Sequence, residues 1–279
     1  MEDQHIVLPN ISLWPHLGDA PIENSRTLGL FSILDGHGGQ HASLYASKHL
    51  PDLVHNSITT CCRPFPDLLH DVLLQSICQL DKAFCLRAEK LKQTRVGTTL
   101  VAALVDLETG NGCVAWLGDS RCDLISVKKQ NGNLQFNTTP LTFPLHRPDV
   151  DSERKRIEAF GGYVSGDAET IARVNGQLSV SRAIGDLSYK TAGLISAEPQ
   201  LNFFKLPSFQ TDDEVNFLLL SSDGLWEGLS TDQLQTITCE SIKSNHNDTL
   251  GAISNALTTT AAEKSGDNLT CILIARHFS

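Results

Sequence analysis

The 279-residue chain contains no CxxC pair, no apolar run long enough to span a bilayer, and no P-loop or GxGxxG stretch. The first absence argues against a zinc site or dithiol redox chemistry. The second argues against a transmembrane helix, and the third against a nucleotide-binding enzyme. Basic residues are also scarce. Lys and Arg number 22 against 32 Asp and Glu, a formal charge of -10, which disfavours nucleic acid or an anionic membrane as the main partner. No Pro/Gly/Ser-rich linker, solenoid repeat or low-complexity tract divides the chain, and no signal peptide opens it, so one domain over residues 1–279 with a substantial core is expected. The eight cysteines lie mostly singly within apolar runs. They read as reduced core thiols of an intracellular protein, and the expectation for the chain as a whole is a cytoplasmic or nuclear monomer.

What the chain does have is a recurring pattern of apolar runs that stop at a carboxylate. Leu28 to Leu34 ends in Asp35-Gly36-His37-Gly38-Gly39, Val114 to Gly118 ends in Asp119, and Phe217 to Ser222 ends in Asp223-Gly224. Near the C-terminus the order inverts, with Asp267-Asn268 ahead of Leu269 to Ile274. In an antiparallel sheet, a strand ending in an acid beside one that begins with an acid puts both carboxylates at one edge. Such acids repel, and they stay together only with cations between them or protons on some of them. Oxygen ligands without cysteine point to Mg2+ or Mn2+.

Along the chain, Glu2 to Leu8 reads as a strand opened by two acids, followed by a Pro-rich loop over 9–27. A helix is expected from Gln40 to about Ile58. A second runs from Pro66 to Lys92, with Leu69, Val72, Leu73, Ile77, Leu80 and Phe84 on one face. Strands are expected at 97–105, 113–118 and 123–129, and a charged helix from Pro148 to Gly161. Residues 163–200 are irregular and read either as a substrate-contacting flap or as a plain surface loop. A strand at 215–222, helices near 230–243 and 248–263, and a strand at 268–276 complete the pattern. Packed economically, this is an α+β fold, a four-layer αββα sandwich of two antiparallel sheets flanked by helix pairs.

Two divalent ions held by shared carboxylates can clamp a phosphate and activate a water for in-line attack. Asp35 fits the bridging position, with Glu2, Asp223 and Asp267 as ligands of single ions. His37, two residues past Asp35 on a glycine-rich turn, is a candidate to protonate a departing serine or threonine oxygen. Any one of these acids alone reads as a turn or cap residue, but together they are hard to explain that way.

These motifs, with Gly97-Thr98-Thr99, Gly118-Asp119-Ser120-Arg121, Arg173-Val174-Asn175-Gly176, Ser181 to Asp186 and Ser222 to Trp226, resemble the metal-dependent protein phosphatase 2C family in order and spacing over almost the whole chain. Ala115 to Ser120 and Pro144 to Pro148 are most similar to the branch of calmodulin-dependent-kinase phosphatases and the nematode sex-determination phosphatase. The resemblance implies hydrolysis of phosphoserine and phosphothreonine with Mg2+ or Mn2+, on phosphoproteins that include kinases or their targets. It implies Asp35 as the bridging ligand, Glu2 and the Gly36 carbonyl on one ion, and Asp223 and Asp267 on the other. Asp119 is similar to a ligand of a weaker third ion, and Asp3 to an acid that bonds metal waters. His37 resembles the proposed general acid. Arg182 and Asp186 are expected to form a supporting ion pair.

The chain departs from the family pattern in three ways. The arginine that usually precedes the Glu-Asp pair and binds the substrate phosphate is not present ahead of Glu2, and neither is the strand that carries it. Glu227 stands where an aspartate is usual, and Leu145 where an aspartate precedes His-x-Pro. The alternative expectation is a catalytically weak relative that serves as a kinase-binding scaffold.

Overall fold

A computed structural model describes residues 2–12, 26–166, 170–209, 214–244 and 248–276. In chain order its elements are β1 (Gln4–Ser12), β2 (Thr27–Leu34), β3 (Gly36–His37), α1 (His41–Thr60), α2 (Asp67–Leu91), β4 (Gly97–Thr98), β5 (Leu100–Asp106), β6 (Asn111–Leu117), β7 (Arg121–Gln130) and β8 (Asn133–Pro140). There follow α3 (Asp151–Ala159), β9 (Val164–Ser165), β10 (Arg173–Val174), β11 (Ile184–Gly185), α4 (Leu187–Lys190), β12 (Gln200–Lys205), β13 (Glu214–Ser221), α5 (Asp223–Gly228), α6 (Thr231–Lys243), α7 (Thr249–Ala262) and β14 (Cys271–Ile274). One antiparallel sheet has the order β1-β2-β5-β6-β12, and a second has the order β14-β13-β7-β8.

The layering follows from the two-residue period of a strand. On β5, Leu100, Ala102 and Leu104 face α1 and α2, while Val101, Ala103 and Val105 point into the space between the sheets. There they meet Leu218 and Leu220 of β13, whose alternate residues Phe217 and Leu219 turn outward to Leu234 of α6 and to Ile253 and Leu257 of α7. A strand buried on both faces reads as an unbroken apolar run, which is why these strands stood out in the sequence. Three cores separated by two sheets make the four-layer αββα sandwich. The Leu69 to Phe84 stripe of α2 is buried in the first of them. A capping box closes the start of α6, with the Ser230 hydroxyl accepting from Gln233 N–H and the Gln233 side chain accepting from Ser230 N–H.

Three expectations need correction. β1 starts at Gln4 and runs through Pro9 to Ser12, where a loop was expected from residue 9. Pro9 is tolerated because β1 is an edge strand whose register shifts between Leu8 and Ile11. The rest of that loop, 13–25, lies outside the described residues. β8 and β12 were not foreseen. Both are edge strands with mostly exposed or half-buried residues, so their apolar alternation is weak. The segment 163–200 is a packed lobe: Val174, Val180, Ala183, Leu194 and Ile195 form a small core with Ile157 of α3.

Leu104 is fully buried between the five-stranded sheet and α1/α2. Leu104→Ala is expected to lower unfolding stability by about 2–5 kcal/mol, read as a shifted denaturation midpoint with an unchanged slope.

Candidate metal centre

The carboxylates are delivered by strand ends. Gln4 of β1 pairs with Leu34 of β2, so Glu2 and Asp3 lie beside Asp35. Ser221 at the end of β13 pairs with Cys271 at the start of β14, which sets Asp223 beside the Asp267 loop. Asp119 follows β6 through Gly118, whose φ of +95° favours glycine. Two further glycines allow backbones to meet. A Cβ on Gly36 would lie 2.7 Å from the Glu2 carbonyl oxygen, and one on Gly224 would lie 2.4 Å from that of Asn268. The Ser43 hydroxyl of α1 donates to the Glu2 carbonyl at 2.5 Å and ties Glu2 down.

Glu2, Asp35, Gly36, Asp119, Asp223 and Asp267 all line one cavity of about 210 Å3, with His37 at its wall. Burial, then the charges of Asp223 and Asp3, pushes the Asp35 pKa up to about 10. Asp119 is pushed up to about 7 by burial and then by Asp223. Asp223 is itself raised, first by burial and then by Asp267, although its hydrogen bond with Asp35 works the other way. Among the described residues, no Lys or Arg forms an ion pair with Asp3, Asp35, Asp119 or Asp223.

Asp3 Oδ2 accepts from the Thr270 hydroxyl at 2.7 Å, but its buried Oδ1 and the buried Oδ1 of Asp223 have no partner among the described residues. Asp223, Glu227 and Asp267 also offer oxygens within 4.8 Å of one another, within reach of a single hard cation. Unpaired buried oxygens in an all-carboxylate set fit divalent cations, which remove the repulsion without displacing a side chain.

Two threonines hold the centre of this set. Thr98 Oγ1 and Thr99 N–H both donate to the Asp35 carbonyl, at 3.0 and 2.8 Å, and Asp35 N–H donates to Thr99 Oγ1. Thr99 Oγ1 also bonds Ser120 Oγ at 2.8 Å. This clamp explains why the strand expected at 97–105 breaks at Thr99 into β4 and β5.

The expected Arg182–Asp186 ion pair does not form. Asp186 Oδ2 bonds His37 Nε2 at 2.7 Å, and Arg182 Nη2 donates to Glu153 Oε1 at 2.6 Å. The cause is the three-stranded sheet β11-β4-β3. Gly97 pairs with His37 on one side and with Gly185 on the other, so the side chains of His37 and Asp186 meet over Gly97. A Cβ on Gly97 would stand 2.3 Å from Asp186 Oδ2 and 2.4 Å from His37 Nε2.

A second recess of about 360 Å3 shares Asp119, Asp223 and Asp267 and adds Glu227, Trp226, Arg121, Arg147 and Arg173. Arg121 lies over the Trp226 ring at 3.7 Å and pairs with buried Asp123 at 3.0 Å. Ile171 and Ser179 bring the 163–200 lobe to this recess, the position expected of a flap. Arg121 and Arg173 stood in quoted motifs and Arg147 in Pro144 to Pro148, but nothing in their spacing showed that all three face the acids. Glu153 gave no signal beyond its place on a charged helix.

The family model for Protein phosphatase 2C matches residues 1–269. The chain belongs to the protein phosphatase 2C family. Members of this family are protein phosphatases that depend on Mg2+ or Mn2+. Over 277 residues the chain is 31% identical to protein phosphatase 1E of Homo sapiens, covering 98% of this chain and 32% of that protein. It is 36% identical to human protein phosphatase 1F over 81% of this chain and 43% of the relative. The chain thus spans about a third of the first of these relatives. Among solved structures, a sex-determining protein of C. elegans superposes with a TM-score of 0.74 at 26% identity, covering 98% of this chain and 60% of that one.

Glu153 tests the corrected pairing. Burial alone raises its pKa, but hydrogen bonds from Arg182 and the charges of Arg182 and Arg156 outweigh that and hold the carboxyl down at about 2. A depressed folded-state pKa contributes stability above the unfolded value and loses it as pH falls through the folded one. Glu153→Gln is therefore expected to destabilise the protein at pH 7, with the gap from wild type closing as pH falls from 4.5 to about 2. Urea midpoints measured across that range check it.

Proposed function

We propose that this phosphatase-family chain is an active metal-dependent serine/threonine phosphatase, and the observation that carries the reading is the convergence on one cavity of five carboxylates that, among the described residues, form no ion pair with Lys or Arg. Asp35 would serve both ions, Glu2 and the Gly36 carbonyl one of them, and Asp223 and Asp267 the other. Asp119 and Glu227 are available to a third. When bound, such ions orient the phosphate and lower the pKa of the attacking water.

The remaining work falls to side chains of this chain. His37 is fixed by Asp186 at Nε2, and its Nδ1 has no protein partner among the described residues. With a proton on each nitrogen, the ring can donate from Nδ1 to the departing serine or threonine oxygen. Arg147 and Arg173 put positive charge in the adjoining recess, where a phosphorylated or acidic segment of substrate can dock. On this reading the substrates are phosphoproteins, kinases or their targets, met by a monomer in the cytoplasm or nucleus.

Manganese-dependent hydrolysis of a phosphothreonine peptide is expected, with Asp223→Asn reducing turnover by more than about 100-fold, since even outer-shell changes at metal sites cost 10–100-fold. Calorimetry with Mn2+ runs beside it. Metal binding with no turnover above the Asp223→Asn background would hand the chain to the scaffold reading.

A further inference from the structure

Asp81 sits on α2, outside every motif, and is 8% exposed. Its Oδ1 accepts from Gly185 N–H at 2.9 Å, from Lys190 Nζ, and from the Cys85 thiol at 3.6 Å. Burial and then the Asp81 carboxylate push Cys85 up to about 11, so the thiol keeps the proton it donates.

What Asp81 grips is an unusual piece of backbone. Gly185 and Asp186 are consecutive left-handed residues, with φ of +87° and +52°, a conformation uncommon outside glycine. Gly185 has no room to shift: a Cβ there would lie 2.4 Å from the Val96 carbonyl oxygen and 2.8 Å from the Phe84 ring. Asp186 N–H is held by that same Val96 carbonyl at 2.9 Å. Among the described residues the Asp186 side chain has one attachment, Oδ2 to His37 Nε2, and its buried Oδ1 has no partner. The aim of the Asp186 carboxylate is therefore set by its backbone, which α2 holds through Asp81 on the Gly185 N–H at 2.9 Å and, more weakly, through the Cys85 thiol 3.9 Å from the Gly185 carbonyl.

We propose that Asp81 is a positioning residue, which fixes the Gly185–Asp186 turn and, through Asp186, the ring of His37. Its catalytic consequence rests on the phosphatase reading; its structural consequence does not. Lys190, at the end of α4 three residues past Leu187, closes the same turn from the other side.

The test compares two substrates and one spectrum. Phosphothreonine leaves as an alkoxide that needs a proton, whereas p-nitrophenyl phosphate releases a stable phenolate that does not. For Asp81→Ala, kcat on a phosphothreonine peptide is expected to fall at least about 10-fold with KM little changed, a fraction of the 10²–10⁴ that proton transfer supplies, while kcat on p-nitrophenyl phosphate changes far less. Asp81→Asn keeps an acceptor for Gly185 N–H and should recover much of the difference. Independently of turnover, the imidazole N–H proton resonance of His37, assigned by its loss in His37→Asn, is expected in wild type and broadened or lost in Asp81→Ala.

If Asp81→Ala does not fold, Lys190→Met, which leaves the carboxylate in place but frees its other partner, carries the same comparison with a smaller expected loss of the peptide reaction. Equal losses on both substrates, or an unchanged His37 resonance in a folded variant, overturn the proposal. A wild type that shows the resonance but no turnover defeats the phosphatase reading and leaves the positioning role to be judged by the spectrum alone.

Discussion

Mutual repulsion among half-buried carboxylates is the constraint on which this molecule turns. Asp35, Asp119 and Asp223 are all raised by burial and by neighbouring carboxylates, and among the described residues no lysine or arginine forms an ion pair with them. Like charges this close cannot all stay ionised in a protein interior without a compensating cation or proton. The surrounding structure nonetheless holds them together, through backbone bonds to Asp35, the Ser43 anchor on Glu2 and the close approach of the Asp267 loop at Gly224. A site this costly in metal-free form makes physical sense when cations complete it.

The histidine side of the cavity is organised differently. No charge repulsion is contained there. Instead, three two-residue strands and a pair of left-handed residues bring together groups 149 positions apart. Gly97 makes this possible by being absent as a side chain, because the His37–Asp186 contact occupies the space where its Cβ would lie. Rigid scaffolding of this sort is what proton transfer demands, since a small misplacement of the donor is expensive.

Much of the acid site was legible in the sequence, and for one reason. Apolar runs that end in a carboxylate mark strand ends, and antiparallel pairing carries those ends to a common edge, so Glu2, Asp35, Asp119, Asp223 and Asp267 could be gathered without coordinates. The sandwich was legible for the same reason, because its inner strands are apolar on both faces. The edge strands β8 and β12 were not, since half-exposed strands mix polar and apolar residues. The partner of Asp186 was misread because Arg182 lies near it in the chain, while the true geometry depends on left-handed turns that sequence spacing does not encode. Glu153 and Asp81 gave no sign at all: a buried acid on an amphipathic helix looks like any solvated one until its partners are known.

The acids come from both layers of strands. Asp35 and Asp119 leave the five-stranded sheet, and Asp223 and the Asp267 loop belong to the four-stranded one, with Phe31, Ile33, Val101, Trp116, Leu218 and Leu220 filling the space between. That apolar filling acts as a spacer whose thickness gauges the gap across which ligands must reach. Side-chain volume deep in the sandwich, with no contact to solvent, thus bears on how far apart the two groups of carboxylates stand at the rim.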